Sequence, residues 1–301
     1  MKKILNIGSI NIDYVYGVRH FVRPGETISS VSLNVFPGGK GLNQSVALSR
    51  AGGSVYHAGK TGPDGGGMIE VMRDAGVDVS LVETTGSATG HAIIQVNSSG
   101  ENCIILHPGA NHELDDAFVG RAMDAFGEGD FIVLQNEVND MPHILKSARS
   151  RRLRIVFNLA PFGPEIKDYP LELVDYFLVN ETEGRELSGK SAPEDILGEM
   201  MAMFPSSAVL LTIGRDGALY RDAGTTITRG IYEVPVVDTT AAGDTFTGYF
   251  VSSVADGIPV SEALRRASVA SSIAVSRKGA SSSVPTLSET LAADLKYLPP
   301  R

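Results

Sequence analysis

At 301 residues, with 43% hydrophobic and 20% charged residues, the chain is long enough to bury a sizeable core and too apolar for disorder. Its formal net charge of −9 repels nucleic-acid phosphate and anionic lipid, and no apolar run approaches membrane-spanning length. The single cysteine, Cys103, excludes an internal disulfide and a cysteine-built zinc site and fits a reducing cytoplasm.

Met1-Lys2-Lys3 opens like a signal peptide, but the apolar run behind it is broken by Asn6, Asn11 and Asp13. Residues 4–10 read as a buried strand and 41–51 as a helix, because Leu42, Val46 and the alanines recur at helical spacing. A short strand follows at 55–58. Later strand-length apolar runs at 131–134, 154–159, 176–179 and 209–213 alternate with helix-length segments such as 193–203. This alternation predicts a mainly parallel sheet covered by helices on both faces, in one domain spanning residues 1–301. Segments 14–36 and 88–108 break the pattern with β-prone alternation and no intervening helix. They predict a small separate sheet acting as a lid, whose apolar face needs cover from a second subunit.

The polar residues gather where strands end, which is where ligands collect in open α/β sheets. Asn11 and Asp13 follow the first strand and suit sugar hydroxyls, although turn formation is the common work of these residue types. Phe36-Pro37-Gly38-Gly39-Lys40-Gly41-Leu42-Asn43-Gln44 opens a helix and offers close backbone approach with a cation and an amide, which suits a polyol. A flexible turn with a solvated lysine is the plainer alternative. The segment lacks the spacing and the Lys-Ser/Thr pair of a Walker A loop. Gln135-Asn136-Glu137 and Asn180-Glu181-Thr182-Glu183 follow later strands, the second also reading as a helix cap with a capping box.

Asp238-Thr239-Thr240-Ala241-Ala242-Gly243-Asp244-Thr245-Phe246 leads into an amphipathic helix carrying Phe246, Phe250 and Val254 on one face. Small residues at a helix start let the N–H groups of Ala242, Gly243 and Asp244 converge on an anion, and the helix dipole adds favourable potential. Asp244 could accept a proton from an attacking hydroxyl there, or serve only as a first-turn carboxylate matching the dipole. The six histidines show no helical metal spacing, and no G-x-S-x-G elbow is present.

Together these segments resemble the ribokinase members of the PfkB carbohydrate kinase family over nearly the whole chain. Gly38-Gly39-Lys40-Gly41-Leu42-Asn43-Gln44 and Asp238 to Phe246 look like that family's two signature regions, in the expected order and separation. The resemblance implies a three-layer α/β/α sandwich with a β-sheet lid, and an ATP-dependent kinase acting on a small sugar, ribose foremost. Other sugar kinases or a nucleoside kinase of the same fold, and a catalytically weak sugar-binding regulator, are the competing readings. It implies that Asn11, Asp13, Gly39, Lys40, Gly41, Asn43 and Glu137 line the sugar site, with Asp244 as base and Ala242 and Gly243 in the anion hole. Asn180 and Glu183 match an N-x-x-E motif that organises phosphate, Mg2+ and water. Thr212, Gly214, Arg215 and Gly217 match the nucleotide loop, with Ser268 on the adenine side. An activating K+ is implied between Asp238 and Thr240 on one loop and Ala274, Arg277, Gly279 and Ser283 on another. Pro24-Gly25-Glu26-Thr27 and Pro108-Gly109-Ala110-Asn111 favour the ribokinase branch and with it a homodimer through the lid. Asn136 and Asn158-Leu159-Ala160-Pro161 depart from the common pattern.

Overall fold

The computed structural model describes residues 2–300. In chain order the first half runs β1 (Lys3–Ile7), β2 (Asn11–Gly17), β3 (Ser32–Gly38), α1 (Lys40–Arg50), β4 (Ser54–Thr61) and α2 (Gly66–Asp74). It continues through β5 (Asp78–Thr84), β6 (Gly90–Val96), β7 (Asn102–His107), α3 (Asp116–Met123), β8 (Phe131–Gln135) and α4 (Met141–Ser150). The second half runs β9 (Arg154–Asn158), β10 (Tyr176–Asn180), α5 (Glu181–Ser188), α6 (Pro193–Met203), β11 (Ala208–Thr212), β12 (Ala218–Arg221) and β13 (Thr226–Arg229). It closes with β14 (Ile231–Tyr232), α7 (Ala242–Ala255), α8 (Val260–Val275), α9 (Leu287–Ala292) and β15 (Tyr297–Leu298).

A nine-stranded sheet in the order β13-β12-β11-β10-β9-β8-β1-β4-β5 forms the middle layer. Its strands from β5 to β11 are parallel, and β12 and β13 add an antiparallel edge. Both faces of the inner strands are buried, so they read as continuous apolar runs: Phe131 to Leu134 and Val209 to Leu211 are all buried. One apolar cluster joins one face of the sheet to α3, α4, α5 and α6 through Phe118, Ile144, Leu187 and Ile196. The other joins the opposite face to α1, α2, α7 and α8 through Leu42, Met72, Phe250 and Leu264. This is the three-layer α/β/α arrangement that the alternation of elements predicts.

The two segments without helix form a separate four-stranded sheet in the order β3-β2-β6-β7. Strand β2 begins at Asn11, ahead of the predicted lid start at residue 14, so the lid itself carries the first polar pair. One row across this sheet is Phe36, Asp13, Ala92 and Leu106; the next is Val35, Tyr14, Ile93 and Ile105, pointing to the opposite face. Leu33, Val35 and Ile105 are each more than half exposed. No described helix is long and apolar enough to cross a membrane.

Candidate active site

The first part of the site is built where β1 hands over to β2. Asn111 clamps this corner: its carbonyl oxygen accepts the Ile10 N–H at 2.9 Å, and its Nδ2 donates to Asn11 Oδ1 at 2.7 Å. With that oxygen occupied, Asn11 presents its own amide donor, and no protein partner takes it among the described residues. Helix α1 then packs its first turn directly on the same corner. Gly39, at φ 91°, supplies the backbone turn, and a side chain on Gly41 would overlap the backbone of Ser9. Leu42 N–H accordingly reaches Ser9 O at 2.9 Å.

Glu137, just beyond β8, accepts from the Ser9 hydroxyl and from the Lys40 N–H, the latter at 2.9 Å. Burial, reinforced by the nearby Glu137 and Asp244 carboxylates, pushes Asp13 up to about 6. A carboxyl whose folded pKa exceeds its ordinary 3.8 contributes stability that is full below pH 3.8 and lost as pH rises through about 6. Asp13→Asn should therefore stabilise the unliganded protein at pH 7, by about 1–2 kcal/mol after allowance for partial exposure. Thermal melts from pH 4 to 8 check this: the gain should vanish at the acid end. The same variant should lose sugar affinity, the usual conflict between a tense site and a stable fold.

The second part is the start of α7. Ala241, in the left-handed region at φ 57°, turns the chain into the helix, whose first backbone bond runs from Thr245 N–H to Ala241 O at 2.8 Å. The N–H groups of Gly243 and Asp244 are thus left without acceptors within the helix, at its positive end. Ala242 differs from the sequence-based expectation of three converging donors. Its N–H goes to Thr239 O at 3.2 Å, because the tight turn folds that carbonyl back over the helix start.

Asp244 is 8% exposed, and both its oxygens are held: Oδ2 by Asn43 Nδ2 at 3.3 Å and Oδ1 by Gln44 Nε2 at 2.9 Å. Asn43 Oδ1 is buried without any protein partner. An orphaned acceptor costs stability on the order of 1–3 kcal/mol and calls for a hydroxyl donor beside Asp244.

Two cavities meet at this helix start. The smaller, about 240 Å³, is lined by Lys40, Asn158, Asn180, Glu183, Gly243 and Asp244. Alone, burial would push the Lys40 ammonium down, but the carboxylates of Asp244, Glu137 and Glu183 outweigh it and hold its pKa above the ordinary value. Burial pushes Glu183 up against the opposing bonds from Asn180. Those bonds form the expected capping box: Asn180 Oδ1 accepts the Thr182 and Glu183 N–H groups, while Glu183 accepts the Asn180 N–H at 3.0 Å and Nδ2 at 2.8 Å. Structural cap and site residue are here the same pair.

The larger cavity, about 370 Å³ and mainly apolar, is lined by Thr212, Gly214, Arg215, Gly217, Tyr232 and Ser268. It shares Thr212, Thr239, Ala242, Gly243 and Phe246 with the smaller one. Beside it, Asp238 ties two loops together, accepting from Thr240 N–H and Oγ1 at 2.9 and 2.6 Å and from Gly279 N–H at 3.0 Å. Burial would raise its pKa, but these bonds prevail and hold it below the ordinary carboxylate range. The Val275 carbonyl, between Ala274 and Arg277, takes the N–H groups of Val237 and Asp238. Arg277's guanidinium turns away to Glu289 at 2.7 Å, and Ser283 bonds within its own turn to Ala280 at 2.8 Å. The Asp238 and Val275 oxygens at this junction are of the donor type a hard cation takes, and each already accepts from the protein's own N–H groups.

Several residues at the site carried no sequence-based role. Gln44 and Asn111 stand inside motifs noted for other reasons, and Ser9 and Gln135 neighbour noted residues. Asn136 points elsewhere, to Pro161 O and Glu165, both at 3.0 Å.

A buried carboxylate and free helix-start amides, set between a polar pocket and a larger apolar one, define a phosphotransferase that acts on an alcohol group. The chain belongs to the pfkB family of carbohydrate kinases, whose family model matches residues 1–287. It is 35% identical over 302 aligned residues to a ribokinase of Haemophilus influenzae, covering 97% of this chain and 98% of that one. Among solved structures it resembles a ribokinase of Cryptococcus neoformans in complex with ADP, at a TM-score of 0.85 and 32% identity, covering 97% and 99% of the two chains. It also resembles an Arabidopsis thaliana ribokinase complexed with ribose and ATP, at 0.86 and 29%, covering 96% and 97%.

Proposed function

We propose that this protein is an ATP-dependent ribose kinase that transfers the γ-phosphoryl group to the primary hydroxyl of ribose, giving ribose 5-phosphate. The observation that carries the reading is the junction of the two cavities at Gly243, with Asp244 and Lys40 in the wall of the polar one. Asn11, Asp13, Gly39, Lys40, Gly41, Asn43 and Glu137 hold the sugar; the orphaned Asn43 oxygen and the uncommitted Asn11 amide supply one acceptor and one donor to it. Thr212, Gly214, Arg215, Gly217 and Ser268 hold the nucleotide, and Asn180 faces its phosphates. Asp244 removes the hydroxyl proton while the Gly243 N–H, and Ala242's once released from Thr239, stabilise charge on the migrating phosphoryl group.

Glu183 is the residue toward which Mg2+ binds, through water, since both its oxygens already accept from Asn180. The metal, when bound, neutralises charge on the β- and γ-phosphoryl oxygens. Asp238, Thr240, Ala274, Arg277, Gly279 and Ser283 would hold a monovalent cation such as K+, mostly through backbone oxygens, and the ion would supply positive charge beside the loop that leads into α7. The protein works in the cytoplasm as a homodimer joined through the lid, which covers the apolar row of Val35, Ile93 and Ile105. An Ile105→Glu variant should then sediment as a monomer where the unmodified protein is a dimer.

ADP release measured across a sugar panel under Mg2+, with adenosine included and K+ exchanged for Na+, tests the whole reading. Ribose should give the highest kcat/KM, and K+ should raise it. No Mg2+-dependent turnover with any sugar would overturn the kinase reading, preference for adenosine the sugar assignment, and indifference to the cation exchange the K+ site.

A further inference from the structure

The floor beneath Asp244 is a buried line of side-chain amides that neither turn formation nor sugar contact explains. Gln44, fully buried, donates through Nε2 to Asp244 Oδ1 at 2.9 Å and to Asn158 Oδ1 at 3.4 Å. Its Oε1 accepts from Gln135 Nε2 at 2.7 Å, and Gln135 Nε2 also donates to Asn6 Oδ1 at 3.0 Å. Asn6 in turn donates to Gly41 O and Ser45 Oγ, both at 2.8 Å.

The orientation of Gln44 is fixed from three sides. An ionised carboxylate only accepts, so Asp244 needs the nitrogen end. Asn158 has committed its nitrogen to Leu178 O at 2.9 Å, so it too offers Gln44 an oxygen. Gln135 offers a nitrogen and therefore needs the oxygen end. Reversing the Gln44 amide would set like against like at all three contacts. In a buried site such a network is rigid when every partner agrees and costly when one does not.

We infer that Gln44 is a positioning residue: its amide, locked by Gln135 and Asn158, holds the Asp244 carboxylate aimed at the acceptor hydroxyl. The inference rests on the reading of Asp244 as base. Asn43, the neighbouring residue of α1 and itself buried, donates to the other carboxylate oxygen, so both oxygens are held by one helix. Gln44 itself is fully buried and lies outside both cavity linings.

The test compares Gln44→Met, which keeps length but removes the donor, with Asp244→Asn. Gln44→Met should lower kcat on the order of 10- to 100-fold, the scale of a misaimed reacting group, while ribose KM stays within about threefold. Losing a donor raises a carboxylate's pKa, so the acid limb of the kcat–pH profile should move to higher pH. The other charged groups facing Asp244, namely Asp13 on β2, Lys40 at the start of α1 and Glu183 in α5, are unchanged in the variant, so the shift belongs to Gln44. A kcat and an acid limb both at their unmodified values, or a loss equal at every pH with KM rising in step, would overturn the inference. If Gln44→Met fails to bind ribose by calorimetry, Gln135→Met decides: a smaller loss with the same shift supports the inference, and an unmoved limb refutes it. A fully active Asp244→Asn would instead remove the base reading on which it stands.

Discussion

Asp244→Asn is expected to lower kcat on the order of 10²–10⁴-fold, the typical contribution of a positioned general base. The substitution keeps shape but removes the proton acceptor. It also turns an amide nitrogen toward either Asn43 or Gln44, both of which now donate to the carboxylate. On the proposed assignment of the sugar ligands, ribose affinity measured by calorimetry should change far less than kcat. That split identifies an interaction made mainly in the transition state. Turnover within tenfold of the unmodified enzyme would remove Asp244 from the role of base.

The second large effect is expected at Lys40. Its ammonium is the cation that offsets Asp244, Glu137 and Glu183 in a buried setting. Lys40→Met leaves these carboxylates to repel one another and removes positive charge from the cavity that Gly243 and Asp244 line. A preorganised donor or charge at that point is worth about 10²–10³ in kcat, and the loss should appear there. The stability consequence has a defined sign. Asp13 and Glu183 already have folded pKa values above the ordinary carboxylate range, and without Lys40 those nearest it rise further. Groups so raised stabilise the fold only while protonated, so the variant should be destabilised at pH 7 and recover as the pH falls. Melting curves at pH 5 and pH 7.5 separate this from a simple packing defect, which would cost the same at both. Lysine to arginine should not rescue, since the planar guanidinium cannot occupy a site shaped for a point charge.

The lid illustrates a different kind of information. Its alternating segments announce β structure, and the absence of a helix between them announces a separate sheet. Yet the pairing of β2 with β6 in parallel, which sets Asp13 between Phe36 and Ala92 in a row that ends at Leu106, has no local signature. Likewise β12 and β13 add an antiparallel edge that the apolar-run pattern omits, because strands of four residues carry too short a pattern to read, whether buried on both faces as β12 is or alternating as β13 does.

The amino-acid sequence alone determined the alternation of strands and helices, the helix at Pro193–Met203 to the residue, and the two glycine-rich segments that open α1 and α7. These features are local: side-chain period, helix-start chemistry and the need for glycine at a close backbone approach all act within a few residues. Only the tertiary structure decided that Gln44 and Asp244, 200 positions apart, share a hydrogen bond, or that Asn111 orients Asn11 across 100 positions. The first contact exists because α1 lies on α7, with Gly248 so close to Ala47 that a side chain would overlap it. Burial makes an unpaired amide costly, and which partner Gln44 or Asn11 finds depends on packing between distant elements rather than on the residues beside it in the chain.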